Sequence, residues 1–346
     1  MDFISTLIKW YAVYKRDLPW RITKDPYKIW LSEIILQQTQ IKQGLPYYET
    51  FTTNFPTVFD LANATEDKVL KLWQGLGYYS RARNLHATAK YIAEHRKGKF
   101  PKNYNGLLQL KGVGDYTASA IASICYEEQV AVLDGNVFRV LSRFFGILTP
   151  INSSEGKRQF KVLAQSLLPK KNIGDYNQAI MEFGALQCVP KSPNCLQCPV
   201  SAACNAAQTG QVSKLPIKIK NKIIKSRFLN FIILISKDKK TVLEQRTQKG
   251  IWQNLYQFPL IETQYAVDQK ELLSDPKLNL ISGGDFYNFE SYKQKEIVHK
   301  LTHQNLHIKF WICRTNRIQK NSIPWTTISS YAVPKPLETF INEFVP

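Results

Sequence analysis

The stretch "SEIILQQTQ" places a carboxylate, Glu33, inside an apolar run, and on a helix its neighbours three and four positions away are Ile29, Trp30, Leu36 and Gln37. An ionised carboxylate on that largely apolar face is costly, so burial should raise its pKa and keep a proton available at neutral pH. The same pattern also fits a buried glutamate paired with a nearby arginine. Further on, "AVLDGNVFRVLSRFFG" carries Asp134 just before Val137, Val140, Leu141, Phe144 and Phe145, which follow helical spacing. Asp134 therefore reads as an N-cap, and a carboxylate at a helix start also faces whatever pocket lies there.

Four of the six cysteines form the series Cys188-x6-Cys195-x2-Cys198-x5-Cys204. Four thiolates in one short loop satisfy either zinc or a [4Fe–4S] cluster. Structural zinc sites usually use two short-spaced pairs, whereas here only one Cys-x2-Cys exists and the outer cysteines stand off on unequal arms. That favours the iron–sulfur cluster, with zinc or unligated thiols as alternatives. Cys125 and Cys313 stand apart and read as core residues. In "LLQLKGVGDYTASAI", Gly112-Val113-Gly114 separates two helical segments, and the second opens with its backbone N–H groups unpaired. Glycines there let a phosphate approach the main chain while the helix terminus supplies positive potential. The stretch reads as a helix-hairpin-helix gripping a DNA backbone without reading sequence, with Lys111 as a further phosphate contact.

These groups need elements to hold them. The pattern from residue 1 to about 205 is helical, broken by loops such as "RDLPW", "NFPT" and "TPINSSEG", with one helix expected over roughly 27–43 around Glu33. Residues 208–227 are basic, lack a helical stripe and read as a linker. After them "FLNFIILIS", "TVLEQR" and "IVHKLTHQNLHIKFWICR" alternate as strands, giving an all-α first region, 1–207, and an α+β second domain, 228–346. The 346 residues suffice for two cores, and 46 Lys plus Arg against 27 Asp plus Glu leave a formal charge of +19 that favours a polyanionic partner. No apolar run approaches the length of a membrane helix, and the N-terminus lacks a secretory pattern, so a cytoplasmic protein is expected.

Taken together, "SEIILQQTQ", "GLGYYSRARNL", "LKGVGDYTASAI", "LDGNVFRVLSR" and the cysteine loop resemble the adenine DNA glycosylases of the MutY type, within the endonuclease III superfamily, over nearly all of residues 10–205. The resemblance implies a monomeric base excision repair enzyme that removes adenine mispaired with 8-oxoguanine or guanine from double-stranded DNA and associates with the nucleoid through that DNA. The adenine must be flipped out of the duplex. By similarity Gln38 and Tyr78 intrude at the 8-oxoguanine, while Trp20, Arg21 and Leu36 border the extruded adenine. Glu33, protonated, would donate to adenine N7 and later activate water; Asp134, ionised, would stabilise the sugar cation or trap it as a transient adduct. Tyr116 and Asn136 match positions that orient these groups. Lyase members of the superfamily carry a Schiff-base lysine where Tyr116 stands, which implies a monofunctional enzyme.

A second resemblance covers "LEQRTQKGIWQNLYQFP", residues 243–259, which is similar to the start of a MutT-like (Nudix-type) domain. The pyrophosphatase motif is missing, so this domain should recognise 8-oxoguanine and not hydrolyse. Thr302 and His303 in "KLTHQNLHI" stand where the family has Phe-Ser-His, and Leu301 and Thr302 depart from it. Two other functions share these features: an endonuclease III-like glycosylase and AP lyase, and a non-catalytic iron–sulfur DNA-binding sensor.

Overall fold

The computed structural model describes residues 2–219, 224–293, 295–318 and 321–346. Contacts divide the chain into two compact units, Met1–Asn63 with Asn84–Lys220 and Ala64–Arg83 with Asn221–Pro346. The expected contiguous first region, 1–207, is thus interrupted, because 64–83 fall with the second unit. The helices run in chain order α1 (Phe3–Tyr14), α2 (Pro26–Leu36), α3 (Ile41–Asn54), α4 (Val58–Asn63), α5 (Glu66–Trp73), α6 (Ser80–Arg96), α7 (Tyr104–Leu108), α8 (Asp115–Tyr126), α9 (Gly135–Phe145), α10 (Ser154–Ser166), α11 (Ile173–Leu186) and α12 (Asn205–Gln208). No strand occurs among the described residues up to 219.

Local signals set the helix ends that matter. Asp25 caps α2 by accepting from Tyr27 N, and Pro26 supplies a preset first turn. The helix then stops at Leu36, short of the expected 27–43 span, because Gln38 adopts φ 55° and Gln40 becomes the N-cap of α3. In the first unit α11 packs against α1, α8 and α9, and Leu7, Ile29, Trp30, Leu31, Phe160 and Phe183 are buried. The expected linker is tied down where it is described: Ile217 O accepts from Ile151 N at 3.0 Å, and Asn152 brackets Ile219 with two hydrogen bonds of 2.9 Å. Its last residues already belong to a strand, which begins at Lys225.

The second unit is built on β1 (Lys225–Ser236), β2 (Lys240–Val242), β3 (Glu244–Gln245), β4 (Tyr256–Gln257), β5 (Leu260–Thr263), β6 (Phe286–Ser291), β7 (Ile297–Lys300), β8 (Gln304–Thr315) and β9 (Ser322–Pro324). β1 and β8 pair in parallel from Lys225↔Gln304 to Ser236↔Thr315, flanked by antiparallel β5 and β6, while β7 returns into β8 as a hairpin. Alternation sends Ile232, Leu234, Trp311 and Cys313 into one core with Leu272 and Leu278, from α13 (Gln269–Leu273) and α14 (Pro276–Ser282). The other face of the central pair packs Phe310 against Phe340 of α15 (Lys335–Glu343), ring centroids 4.3 Å apart.

Candidate active site

One cavity of about 750 Å³ in the first unit gathers Glu33, Leu36, Tyr116, Asp134 and Asn136 with Trp20, Arg21 and Glu182. α2 brings Glu33, the start of α8 brings Tyr116, and the start of α9 brings Asp134 and Asn136. α9 can lie this close to α11 because of Gly184: a Cβ there would sit 2.7 Å from Asn136 Cβ.

Burial raises the Glu33 carboxyl to about 7; a hydrogen bond with Tyr116 opposes the rise and the Asp134 charge adds to it. Glu33 keeps some surface because it opens into the cavity, yet the surrounding protein removes most of its hydration. Its partner is a tyrosine, so the arginine pairing does not hold for Glu33. Burial, with the charges of Glu33 and Asp134, pushes the Tyr116 hydroxyl well above its ordinary value, so it stays protonated. That hydroxyl also lies 3.3 Å from Met181 Sδ.

Asp134 is the N-cap of α9, as its position suggested. Its Oδ1 accepts from the backbone N–H groups of Asn136 (2.9 Å) and Val137 (2.7 Å), and its Oδ2 from Asn136 Nδ2 (2.8 Å). Burial raises its pKa while these three bonds and Arg139 pull it back. Burial raises both carboxyl groups of this cavity above their ordinary values, and they differ in how many donors oppose the rise. Glu33 has the Tyr116 hydroxyl beside it and is still raised to about 7, whereas three hydrogen bonds and Arg139 offset part of the rise at Asp134 and favour its ionised form.

Glu182 is a site residue that the sequence reading missed. Its carboxylate, 1% exposed, accepts from Arg16 Nε at 2.8 Å and from Arg21 Nη1 and Nη2 at 2.8 and 2.7 Å. Burial would raise its pKa, but the hydrogen bonds from Arg16 and Arg21 outweigh this and hold it down at about 2. The signal used for Glu33, a carboxylate within the apolar run "QAIMEFG", was present here too. Of the remaining expected cavity residues, Trp20 is buried edge-on against Tyr48 and Arg21 is fixed by Glu182. Gln37 turns inward, its Nε2 3.2 Å from Thr117 Oγ1, while Gln38 and Gln40 are exposed.

The hairpin forms between α7 and α8. Gly112 has φ +82°, and a Cβ would meet Asn84 at 2.8 Å; Val113 is buried; Gly114 caps α8 with no side-chain hydrogen bond. In the second unit, a cavity of about 520 Å³ is lined by Tyr78, Trp252, His299, Thr302 and His303, with the Tyr78 hydroxyl hydrogen-bonded to Thr302 Oγ1. Thr302 and His303 are exposed at the β7–β8 turn, which Leu301 N closes on Gln304 O at 2.8 Å.

Cys188, Cys195, Cys198 and Cys204 line one small apolar-walled cavity of about 30 Å³ with Val140, Phe183 and Val200. Among the described residues no three His, Cys, Asp or Glu side chains gather as a single-ion site. The four thiols instead ring a shared space, and Arg143 Nη1 lies 3.4 Å from Cys188 Sγ, a donor suited to a metal-bound thiolate. Arg143 also holds the loop through Val189 O and Pro190 O at 2.8 and 3.0 Å, and Arg139 reaches Cys188 O at 2.7 Å. Burial pushes the free Cys198 thiol up to about 11, so deprotonation there calls for a metal. The donor set fits an iron–sulfur cluster. Cys313 is a buried core residue, whereas Cys125 is only half-buried, its thiol pushed up to about 12 by the protein around it.

Known proteins bear on this arrangement. Residues 31–166 match the HhH-GPD superfamily of base excision DNA repair proteins, and residues 230–343 match the NUDIX domain family. Among solved structures, a thermostable thymine-DNA glycosylase superposes with a TM-score of 0.56 at 30% identity, covering 60% of this chain and 95% of its own. An endonuclease III–DNA complex superposes at 0.52 over 60% of this chain and 94% of its own, where 18% identity speaks for fold alone. The human adenine DNA glycosylase is 43% identical over 62% of this chain and 41% of its own length. Adenine DNA glycosylases from Buchnera aphidicola subsp. Schizaphis graminum and subsp. Baizongia pistaciae are 36% and 33% identical, covering 88% and 99% of this chain and 86% and 96% of theirs. With relatives matched over nearly its whole length and both halves of the architecture accounted for, the chain belongs to the adenine DNA glycosylase family of base excision repair enzymes.

Proposed function

We propose that the chain hydrolyses the N-glycosidic bond of adenine mispaired with 8-oxoguanine or guanine in duplex DNA, as a monofunctional, monomeric enzyme. The observation that carries the chemistry is the pairing of Glu33, raised to about 7, with the donor-rich Asp134 in one cavity. Glu33 donates its proton to adenine N7, the bond electrons leave with the base, and the Asp134 carboxylate stabilises the positive sugar. Water then bonds to the sugar carbon and its proton goes to Glu33. Tyr116 and Asn136 orient the two carboxyl groups, and because Tyr116 cannot form an imine the strand stays intact.

The flipped adenine is bordered by Trp20, Arg21 and Leu36. The hairpin Gly112-Val113-Gly114 grips the backbone, Gln38 and Tyr78 intrude at the opposite base, and Thr302 with His303 read 8-oxoguanine from the MutT-like domain, 228–346. The catalytic region, 1–207, and the tether, 208–227, complete the division of labour. Cys188, Cys195, Cys198 and Cys204 hold a [4Fe–4S] cluster; when bound it supplies four iron–thiolate bonds that fix the loop. No helix of the described residues is long and apolar enough to cross a membrane, in keeping with work on nucleoid DNA in the cytoplasm.

The deciding assay measures base release from duplexes carrying adenine opposite 8-oxoguanine, adenine opposite guanine, or thymine glycol, with borohydride present in parallel. Adenine release without cross-linking supports the reading. Thymine glycol release with efficient trapping would establish the endonuclease III-like lyase instead, and no release from any duplex would leave the DNA-binding sensor.

A further inference from the structure

Gly114 is not explained by the protein's own packing. Its φ of −94° is open to any residue, and a Cβ added there would meet nothing within 4 Å, in contrast to Gly112 two residues earlier. The space above it is left open on the outside of the fold, beside the uncapped start of α8. An approaching phosphate explains both features, since it needs bare backbone and free N–H groups. Yet the next residue, Asp115, puts a half-exposed carboxylate into the same helical turn. A carboxylate there suits the helix dipole but repels a phosphate arriving at the same amides.

We propose that Lys161 is the positioning residue that makes this hairpin acceptable to DNA, by cancelling the Asp115 charge at the point where the phosphate lands. Lys161 reaches across from α10, its Nζ 3.0 and 3.2 Å from the two Asp115 oxygens. The same ammonium donates to Ala131 O at 3.2 Å and lies 3.4 Å from Ser119 Oγ, so it is held over the start of α8 and not left on a free tether. The Tyr104 hydroxyl donates to Asp115 Oδ1, and the Lys161 ammonium sits 5.6 Å from the Tyr104 ring centroid. α7, α8 and α10 thus converge on one carboxylate. None of these residues lines the cavity of Glu33 and Asp134. The inference rests on the reading of the hairpin as the backbone grip, and adds that its affinity is set by a charge pair beside it.

The test is binding of the full-length protein to a short undamaged duplex over a range of salt concentrations, for the parent, Lys161→Ala, Asp115→Asn and the double variant. Lys161→Ala should weaken binding about fivefold at low salt, the size of one uncompensated contact charge in water. Asp115→Asn, half-exposed and shape-preserving, should tighten it. The double variant should return to the parental affinity or better, because the ammonium is needed only while the carboxylate is there. A double variant as weak as Lys161→Ala would overturn the proposal, making Lys161 a direct DNA contact or a prop for the fold; so would Asp115→Asn that binds more weakly than the parent. A parent whose binding does not fall with salt would overturn the hairpin reading itself, whereas normal parental binding with neutral variants sinks only the role of Lys161.

Discussion

The Tyr116 hydroxyl is hydrogen-bonded to the Glu33 carboxyl, and it is a donor that burial keeps from ionising. The pair gives Glu33 an orientation while leaving its pKa near neutrality. Glu33→Gln keeps the shape and loses the proton, so single-turnover adenine release should fall by about 10²–10⁴-fold while substrate binding persists. A near-parental rate would remove Glu33 from the mechanism.

The same carboxyl links pH to stability. Its pKa is about 7 in the fold against an ordinary 4.5, so below 4.5 both folded and unfolded chains are protonated and nothing is lost. Stability should then decline from pH 4.5 to about 7 and level off above, where the buried charge exerts its full cost. Glu33→Gln should therefore be more stable than the parent at alkaline pH, by on the order of 2 kcal/mol after discounting for water in the cavity. Melting curves on both sides of the window check this; an equal difference at acid and alkaline pH would contradict it.

Asp134→Asn separates charge from capping. Asparagine still caps a helix, so the melting temperature should change little, but the cation loses its counter-charge and excision should slow by about 10²–10³-fold. If the variant instead unfolded with its activity per folded molecule intact, Asp134 would be structural only.

Glu182 is the carboxylate whose removal should be felt most by the fold. Truncation to Ala leaves Arg16 and Arg21 without their shared acceptor, and should cost about 3–5 kcal/mol. With its pKa at about 2, below the ordinary 4.5, its contribution is complete above pH 4.5 and is lost as pH falls toward 2. Denaturant titrations of parent and variant should therefore differ by that amount at neutral pH and converge in strong acid.

Thr302→Ala combined with His303→Ala should narrow the preference for adenine opposite 8-oxoguanine over adenine opposite guanine by about 1–3 kcal/mol, leaving excision on saturated substrate nearly unchanged. Single-turnover rates on the two mispairs must be compared at matched salt, since backbone binding masks discrimination at low ionic strength. An unchanged ratio would show that the β7–β8 turn does not read the lesion.

Purified protein should be brown and contain iron with acid-labile sulfide, and Cys198→Ala should reduce soluble yield. Colourless, active protein with stoichiometric zinc would replace the cluster assignment.

Structural features that follow from a local pattern were readable in the sequence. Asp134 announced itself as a cap, the cysteines by spacing, and Glu33 by lying on an apolar face. What escaped was fixed by partners distant in the chain. Glu182 is defined by Arg16 and Arg21. The end of α2 depends on one residue, Gln38, taking a left-handed conformation that helical periodicity does not register. The grouping of 64–83 with the second unit depends on contacts such as Asn254 Nδ2 to Glu66 and Lys71 Nζ to Tyr331 O, which no sequence window contains.

The parallel pairing of β1 with β8 has a consequence for how the chain is made. Twelve residues from Lys225 to Ser236 are matched one for one with Gln304–Thr315, so the central ladder of the second unit cannot close until residue 315 has left the ribosome. The helices that carry Glu33, Tyr116, Asp134 and the cysteine loop are all encoded before residue 209 and depend on no such late strand. Synthesis therefore yields these helices first, while the edge of β1 that later meets β8 waits unpaired through the intervening residues. Slowing translation within that interval should therefore lower the yield of the whole chain more than slowing it earlier.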